Sequence, residues 1–197
     1  MNNLYMATII IIFLAVLTIR ENNKYLVLAM LFTVIADLFL LIINIYPVGV
    51  AVFCVAHLFH IIRLHTRAAN TLPVCDQGRY NKKVLKYCIL TLLPPIVLLI
   101  LRVELLNIIA SIYAQLFVIN FVMAIWAVKK GLFPKPNSIL LIVGLSAFVA
   151  CDILVVMMNL GIGSVSPTAI WLFYAPSQIF IVLSGVDVKV DARLSVL

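Results

Sequence analysis

Long apolar runs separated by short polar breaks dominate this chain and leave it few ways to fold. A helix crossing a bilayer needs roughly 20 mostly apolar residues, with every backbone N–H and C=O bonded inside the segment. Seven runs fit, at about 4–19, 25–46, 48–64, 84–101, 104–128, 138–160 and 168–186. The breaks fall at Arg20–Lys24, Tyr46-Pro47, a long polar loop over 65–83, Arg102, Lys129–Asn137 and Gly161–Pro167. The expectation is an all-α, polytopic transmembrane helix bundle of seven spans, forming a single domain over 1–197. Composition agrees. The chain is 65% hydrophobic and 11% charged, where a soluble domain is roughly 45–50% apolar and about 25% charged. A soluble globule could not hide that much apolar surface, which excludes a soluble enzyme, a disordered chain and a nucleic-acid-binding domain. The first run, Leu4–Ile19, has no basic stretch before it and no A-x-A cleavage signature. It reads as a retained helix rather than a cleaved signal peptide.

The few charges orient the bundle. Of the 14 Lys and Arg residues, all but Arg102 fall on one side when seven spans are counted. They include Arg20, Lys24, Arg63, Arg67, Lys129, Lys130 and Lys135. Basic loops stay in the cytoplasm, so the N-terminus is expected outside and the C-terminus inside. This accounts for the net charge of +7 without a nucleic-acid partner. Arg63 reads as an interface residue whose charged end snorkels to water. The implied location is the cell membrane of a bacterium, or an internal membrane in a eukaryote. Cys54, Cys75, Cys88 and Cys151 match no zinc or CxxC spacing and read as free thiols.

Ionisable and polar groups inside spans are costly and usually face the bundle interior or a wet cavity. At about 1.5 Å per residue, Asp37, His57, His60, Tyr113, Asp152, Tyr174 and Gln178 all fall roughly 9–18 Å below the outer surface. A shared depth points to one polar site. Spacing puts Asp37 with Asn44, Asp152 with Asn159, and Tyr113 with Asn120 on common faces at i, i+7. Trp171, Tyr174 and Gln178 share another face. Pro176 leaves the carbonyl of Leu172 without its usual donor. The two Asp…Asn pairs, four spans apart, also hint at two parallel three-helix units. For each polar residue the competing reading is structural. Asp37, Asp152 and Gln178 could be helix-to-helix hydrogen bonders, His60 could satisfy a neighbouring helix, and Trp171 and Tyr174 could be interfacial belt residues.

At these same residues the sequence resembles the YhhN-like integral membrane proteins, which include the lysoplasmalogenases. The resemblance lies in Ala36-Asp37-Leu38-Phe39-Leu40, then Phe53-Cys54-Val55-Ala56-His57-Leu58. It continues in Ser111-Ile112-Tyr113-Ala114, in Cys151-Asp152-Ile153-Leu154, and in Tyr174-Ala175-Pro176-Ser177-Gln178. It runs from about residue 25 to 185. Ala36 and Cys151 stand where the family has a small Gly or Ser before each Asp, and His60 where it often has Tyr. The family's usual count is eight helices, and the first has no counterpart here.

The resemblance implies hydrolysis of the vinyl ether of a lysoplasmalogen to a fatty aldehyde and glycerophospho-ethanolamine or -choline. The residues suit that chemistry. Protonation of the alkenyl carbon gives an oxocarbenium ion that water captures. The reaction therefore needs a proton donor and a negative charge near the cation, roles two carboxyl groups can divide. Asp37 and Asp152 are the expected catalytic pair. His57, His60, Asn44, Tyr113, Tyr174 and Gln178 are expected to bind or orient the lysophospholipid. No cofactor is expected, although Asp37, Asp152, His57 and His60 would supply enough ligands for a water-activating zinc. The other readings are a small-solute or lipid transporter and an inactive lipid-binding membrane protein. A carrier must open to both sides, whereas the cytoplasmic halves of these spans are almost wholly apolar. A retinal protein is disfavoured because the last span has no lysine.

Overall fold

A computed structural model of the protein describes residues 23–185. The apolar run at 4–19, Arg20, and the basic tail with Lys189 and Arg193 lie outside these residues. Among the described residues every regular element is helical. They are α1 (Lys24–Asp37), a π-helical segment (Leu38–Ile43), α2 (Tyr46–Thr71), α3 (Val74–Thr91), α4 (Leu93–Ile100), α5 (Leu105–Lys129), α6 (Lys135–Asn159) and α7 (Pro167–Leu183). Four stretches are long and apolar enough to cross a membrane: Lys24–Ile43, α2, α5 and α6. The apolar α7 is shorter.

Local chemistry sets the ends. Asn23 caps α1, its Oδ1 accepting from the backbone N–H of Tyr25 and Leu26 at 3.1 and 3.3 Å. The π segment ends at Asn44, whose φ of 60° is left-handed, a conformation Asn tolerates better than most residues. Pro47, Pro136 and Pro167 each sit in the first turn of a helix, where the missing N–H costs nothing. Gly131, with φ 66°, turns the chain after α5 without the Cβ clash another residue would meet. Ser166 caps α7 by accepting from the Ala169 N–H at 3.2 Å.

Two expectations from the sequence are corrected. The stretch at 65–83 is no loop. α2 continues to Thr71, only Leu72 and Pro73 intervene, and α3 follows. Hydropathy marks where a helix leaves lipid, not where its hydrogen bonding stops. Gln77 closes the corner, its Nε2 donating to the carbonyls of Ala69 (2.7 Å) and Leu72 (3.0 Å). Conversely, 84–101 is not one helix but breaks at Leu92 between α3 and α4. Pro94-Pro95 explains the break, because a proline ring removes an N–H and disfavours helical backbone just before it.

α2 is the central element, packed against both α1 and α5, while α6 and α7 form a second tight hairpin. Gly144 permits that hairpin. A Cβ there would lie 3.0 Å from the Ser177 carbonyl oxygen and from the Ile181 backbone nitrogen. Small residues allow such close approach where lipid offers no hydrophobic drive between helices. Polar contacts at one end tie α2 to the hairpin and brace the hairpin itself. Arg63 Nη2 donates to Ser184 Oγ at 3.1 Å, and Asn137 Nδ2 donates to the Ser184 carbonyl at 3.1 Å. Arg63 is therefore not a snorkelling surface residue. It is 3% exposed and lies over the Phe133 ring, 5.6 Å from its centroid.

Candidate active site

At the other end of the bundle, Asp37 closes α1 with its side chain 3% exposed. Tyr174 on α7 donates its hydroxyl to Asp37 Oδ2. Asp152 on α6 has the matching arrangement, accepting at Oδ2 from the Tyr113 hydroxyl of α5 at 2.7 Å. Asp152 and Tyr113 are only partly buried. Each carboxylate thus has a phenol partner from a different helix, one pair enclosed and one more open.

An aromatic box connects the pairs. The His57 ring lies 5.1 Å from Tyr113, 5.1 Å from Phe117 and 5.8 Å from Phe148, centroid to centroid. Phe148 in turn meets Tyr174 edge-on at 5.9 Å and Phe53 at 6.2 Å. His57 is 2% exposed, and neither ring nitrogen has a hydrogen-bond partner among the described residues. Two carboxyl groups and an imidazole therefore share one largely apolar enclosure built from α1, α2, α5, α6 and α7. Such an environment strengthens any charge interaction inside it and makes an unpaired polar group costly.

A model of the YhhN family matches the sequence over residues 3–185. The chain belongs to the YhhN family. That family includes lysoplasmalogenases. No curated protein and no solved structure shows significant similarity to this YhhN protein.

Most of the sequence candidates meet here in the YhhN fold. Asp37, His57, Tyr113, Asp152 and Tyr174 belong to the two pairs and the box. His60 is buried next to His57, with the rings 6.2 Å apart. Gln178 is 1% exposed, and its Nε2 has no partner among the described residues. The same holds for Asn120 Nδ2, on the face expected from Tyr113.

Asn44 is the exception. It is exposed and serves as the left-handed cap of the π segment. The expected Asp37/Asn44 face assumes α-helical spacing, and the π segment between them breaks it, because i→i+5 bonding turns the chain more slowly. Such segments often stand at functional sites, and this one begins at the residue after Asp37. Among the described residues, no three His, Cys, Asp or Glu side chains come together as a group that could hold a metal ion.

The polar candidates alone do not reveal the box, but its signal lies in the sequence: Phe53 stands four residues before His57, Phe117 four after Tyr113, and Phe148 four before Asp152. Residues at i, i+4 share a helix face, so each of three helices shows an aromatic ring beside its polar candidate.

Proposed function

We propose that this YhhN protein is an integral membrane hydrolase that cleaves the vinyl ether of a lysoplasmalogen. The observation that carries this reading is the pair of tyrosine-bonded carboxyl groups, Asp37 and Asp152, whose tyrosines both pack against one aromatic box. The proposed reaction needs a proton donor and a nearby anion in a site that limits water. One carboxyl group delivers a proton to the alkenyl carbon remote from the ether oxygen. The resulting oxocarbenium ion is stabilised by the other, ionised carboxylate. Water adds to the cationic carbon and loses its proton to a carboxylate. The hemiacetal then collapses, its C–O bond to glycerol breaking as the glycerol oxygen takes a proton. The products are a fatty aldehyde and the glycerophospho-alcohol, with the sum of one water consumed and no net proton change. Aromatic faces of Tyr113, Phe117 and Phe148 favour the cation and the apolar chain alike. In this reading the protein lies in the cell membrane of a bacterium with its N-terminus outside, and the lysolipid reaches the site from the outer leaflet.

The test is aldehyde release from lysoplasmalogen by purified protein in detergent. Wild type is expected to be active, and Asp37→Asn and Asp152→Asn to lose at least about a hundredfold, the scale of a lost general acid–base group. Equal rates for wild type and both variants, or an inert wild type across pH and with added metals, would sink the hydrolase reading.

A further inference from the structure

An open cavity of about 460 Å³ lies at the opposite end of the bundle from the carboxylate pair. Its walls come from the start of α1 (Asn23, Lys24, Tyr25) and the last turns of α2 (Arg63, Thr66, Arg67, Asn70, Thr71). The described lining contributes three cations and no carboxylate. Cations at a membrane surface are ordinary, but two of these are built in rather than dangling. Arg63 is almost fully buried, held by Ser184 and the Phe133 ring. Arg67 also lies over the Phe133 ring, 4.5 Å from its centroid, and its Nε donates to the Leu132 carbonyl at 2.6 Å. Arg63 and Arg67 are four residues apart, so both guanidinium groups leave the same helix face. Lys24 is braced over Tyr25, 5.1 Å from the ring centroid. Asn23 already caps the first N–H groups of α1, so side chains rather than the helix end supply the positive field. A concave wall whose described charges share one sign focuses that field, and planar guanidinium groups match phosphate oxygens.

We propose that this cavity binds a phosphate-bearing anion through Lys24, Arg63 and Arg67. It is a second site, independent of the hydrolase reading. Lys24 and Asp37 are separated by 13 residues, roughly 20 Å along the helix. One glycerol separates the phosphate of a lysolipid from its vinyl ether, so a single molecule cannot reach both places. The anion is either a lipid headgroup of the adjoining leaflet or a soluble phosphate ester, and the experiment separates these sources.

Full-length protein in maltoside detergent would be heated while sodium phosphate or glycerol 3-phosphate is titrated, against sodium chloride at matched ionic strength. A parallel arm uses mixed micelles of phosphatidic acid against phosphatidylcholine. A saturable rise in Tm with the free anions assigns a soluble ester; a rise with phosphatidic acid alone assigns a headgroup. Either supports the proposal if Lys24→Gln and Arg67→Gln each weaken the apparent affinity about tenfold, as expected for a lost charged hydrogen bond. Should Arg67→Gln not fold, Lys24→Gln alone decides. No rise beyond the chloride and phosphatidylcholine controls, or variants that respond like wild type, would overturn it. Aldehyde release plays no part in this readout, so failure of the hydrolase reading leaves it standing.

Discussion

Tyr174 and Asp37, 137 positions apart in the chain, meet in a buried hydrogen bond that joins the last described helix to the first. The phenol holds one carboxylate oxygen and so fixes the direction in which the other can face. Tyr174→Phe keeps the ring, its edge-on contact with Phe148 and nearly all its volume. The expected stability loss is about 1 kcal/mol, in the range measured for hydrogen bonds between membrane helices. Aldehyde release should fall by about tenfold or more as Asp37 loses its orientation. Parallel melting curves and rates check both, and an unchanged rate would show that Asp37 needs no such partner.

Tyr113 and Asp152 form the more open counterpart. A double-mutant cycle with Tyr113→Phe and Asp152→Asn should give a coupling of about 0.5–1 kcal/mol in stability, small because the pair is only half-buried. The rates should be strongly non-additive, since two groups acting as one unit are lost together or not at all. Additive losses in rate would mean that Tyr113 and Asp152 act separately.

His57 gives a test that separates function from packing. Its ring is enclosed by Tyr113, Phe117 and Phe148, with no hydrogen-bond partner among the described residues. Replacing it with an apolar ring removes a desolvated polar group, so His57→Phe should leave stability within about 1 kcal/mol of wild type or raise it. Under the proposed mechanism activity should nonetheless drop, because the imidazole would hold water or a lipid oxygen there. A variant as active as wild type would reduce His57 to a filler of space.

Gly144 tests the α6–α7 hairpin that places both Asp152 and Tyr174. Gly144→Ala should cost about 1 kcal/mol, because the new methyl meets Ser177 and Ile181 backbone at 3.0 Å. Gly144→Leu should cost about 2–3 kcal/mol, since the helices must separate, and activity should fall with it. Thermal unfolding in detergent is the measurement. If Gly144→Leu melted with wild type, the close packing of these helices would be in error.

The sequence by itself determined the helical class and the polar candidates, for a simple reason. Lipid tolerates neither open backbone nor stray charge, so apolar runs and Asp37, His57 and Asp152 within them stand out without any contact being known. Helix edges were also legible wherever a local device such as Asn23 or Pro167 set them. Three things were decided only by tertiary structure. α2 runs on beyond the apolar stretch, because α-helical hydrogen bonding does not require lipid. Asn44 leaves the site, because six residues of π-helix turn it off the face that a regular α-helix would give. The pairing itself, Asp37 with Tyr174 and Asp152 with Tyr113, depends on which helices lie side by side. Depth along a span follows from a residue's number, but its neighbour across the bundle follows from packing, as where Gly144 lets α7 approach α6.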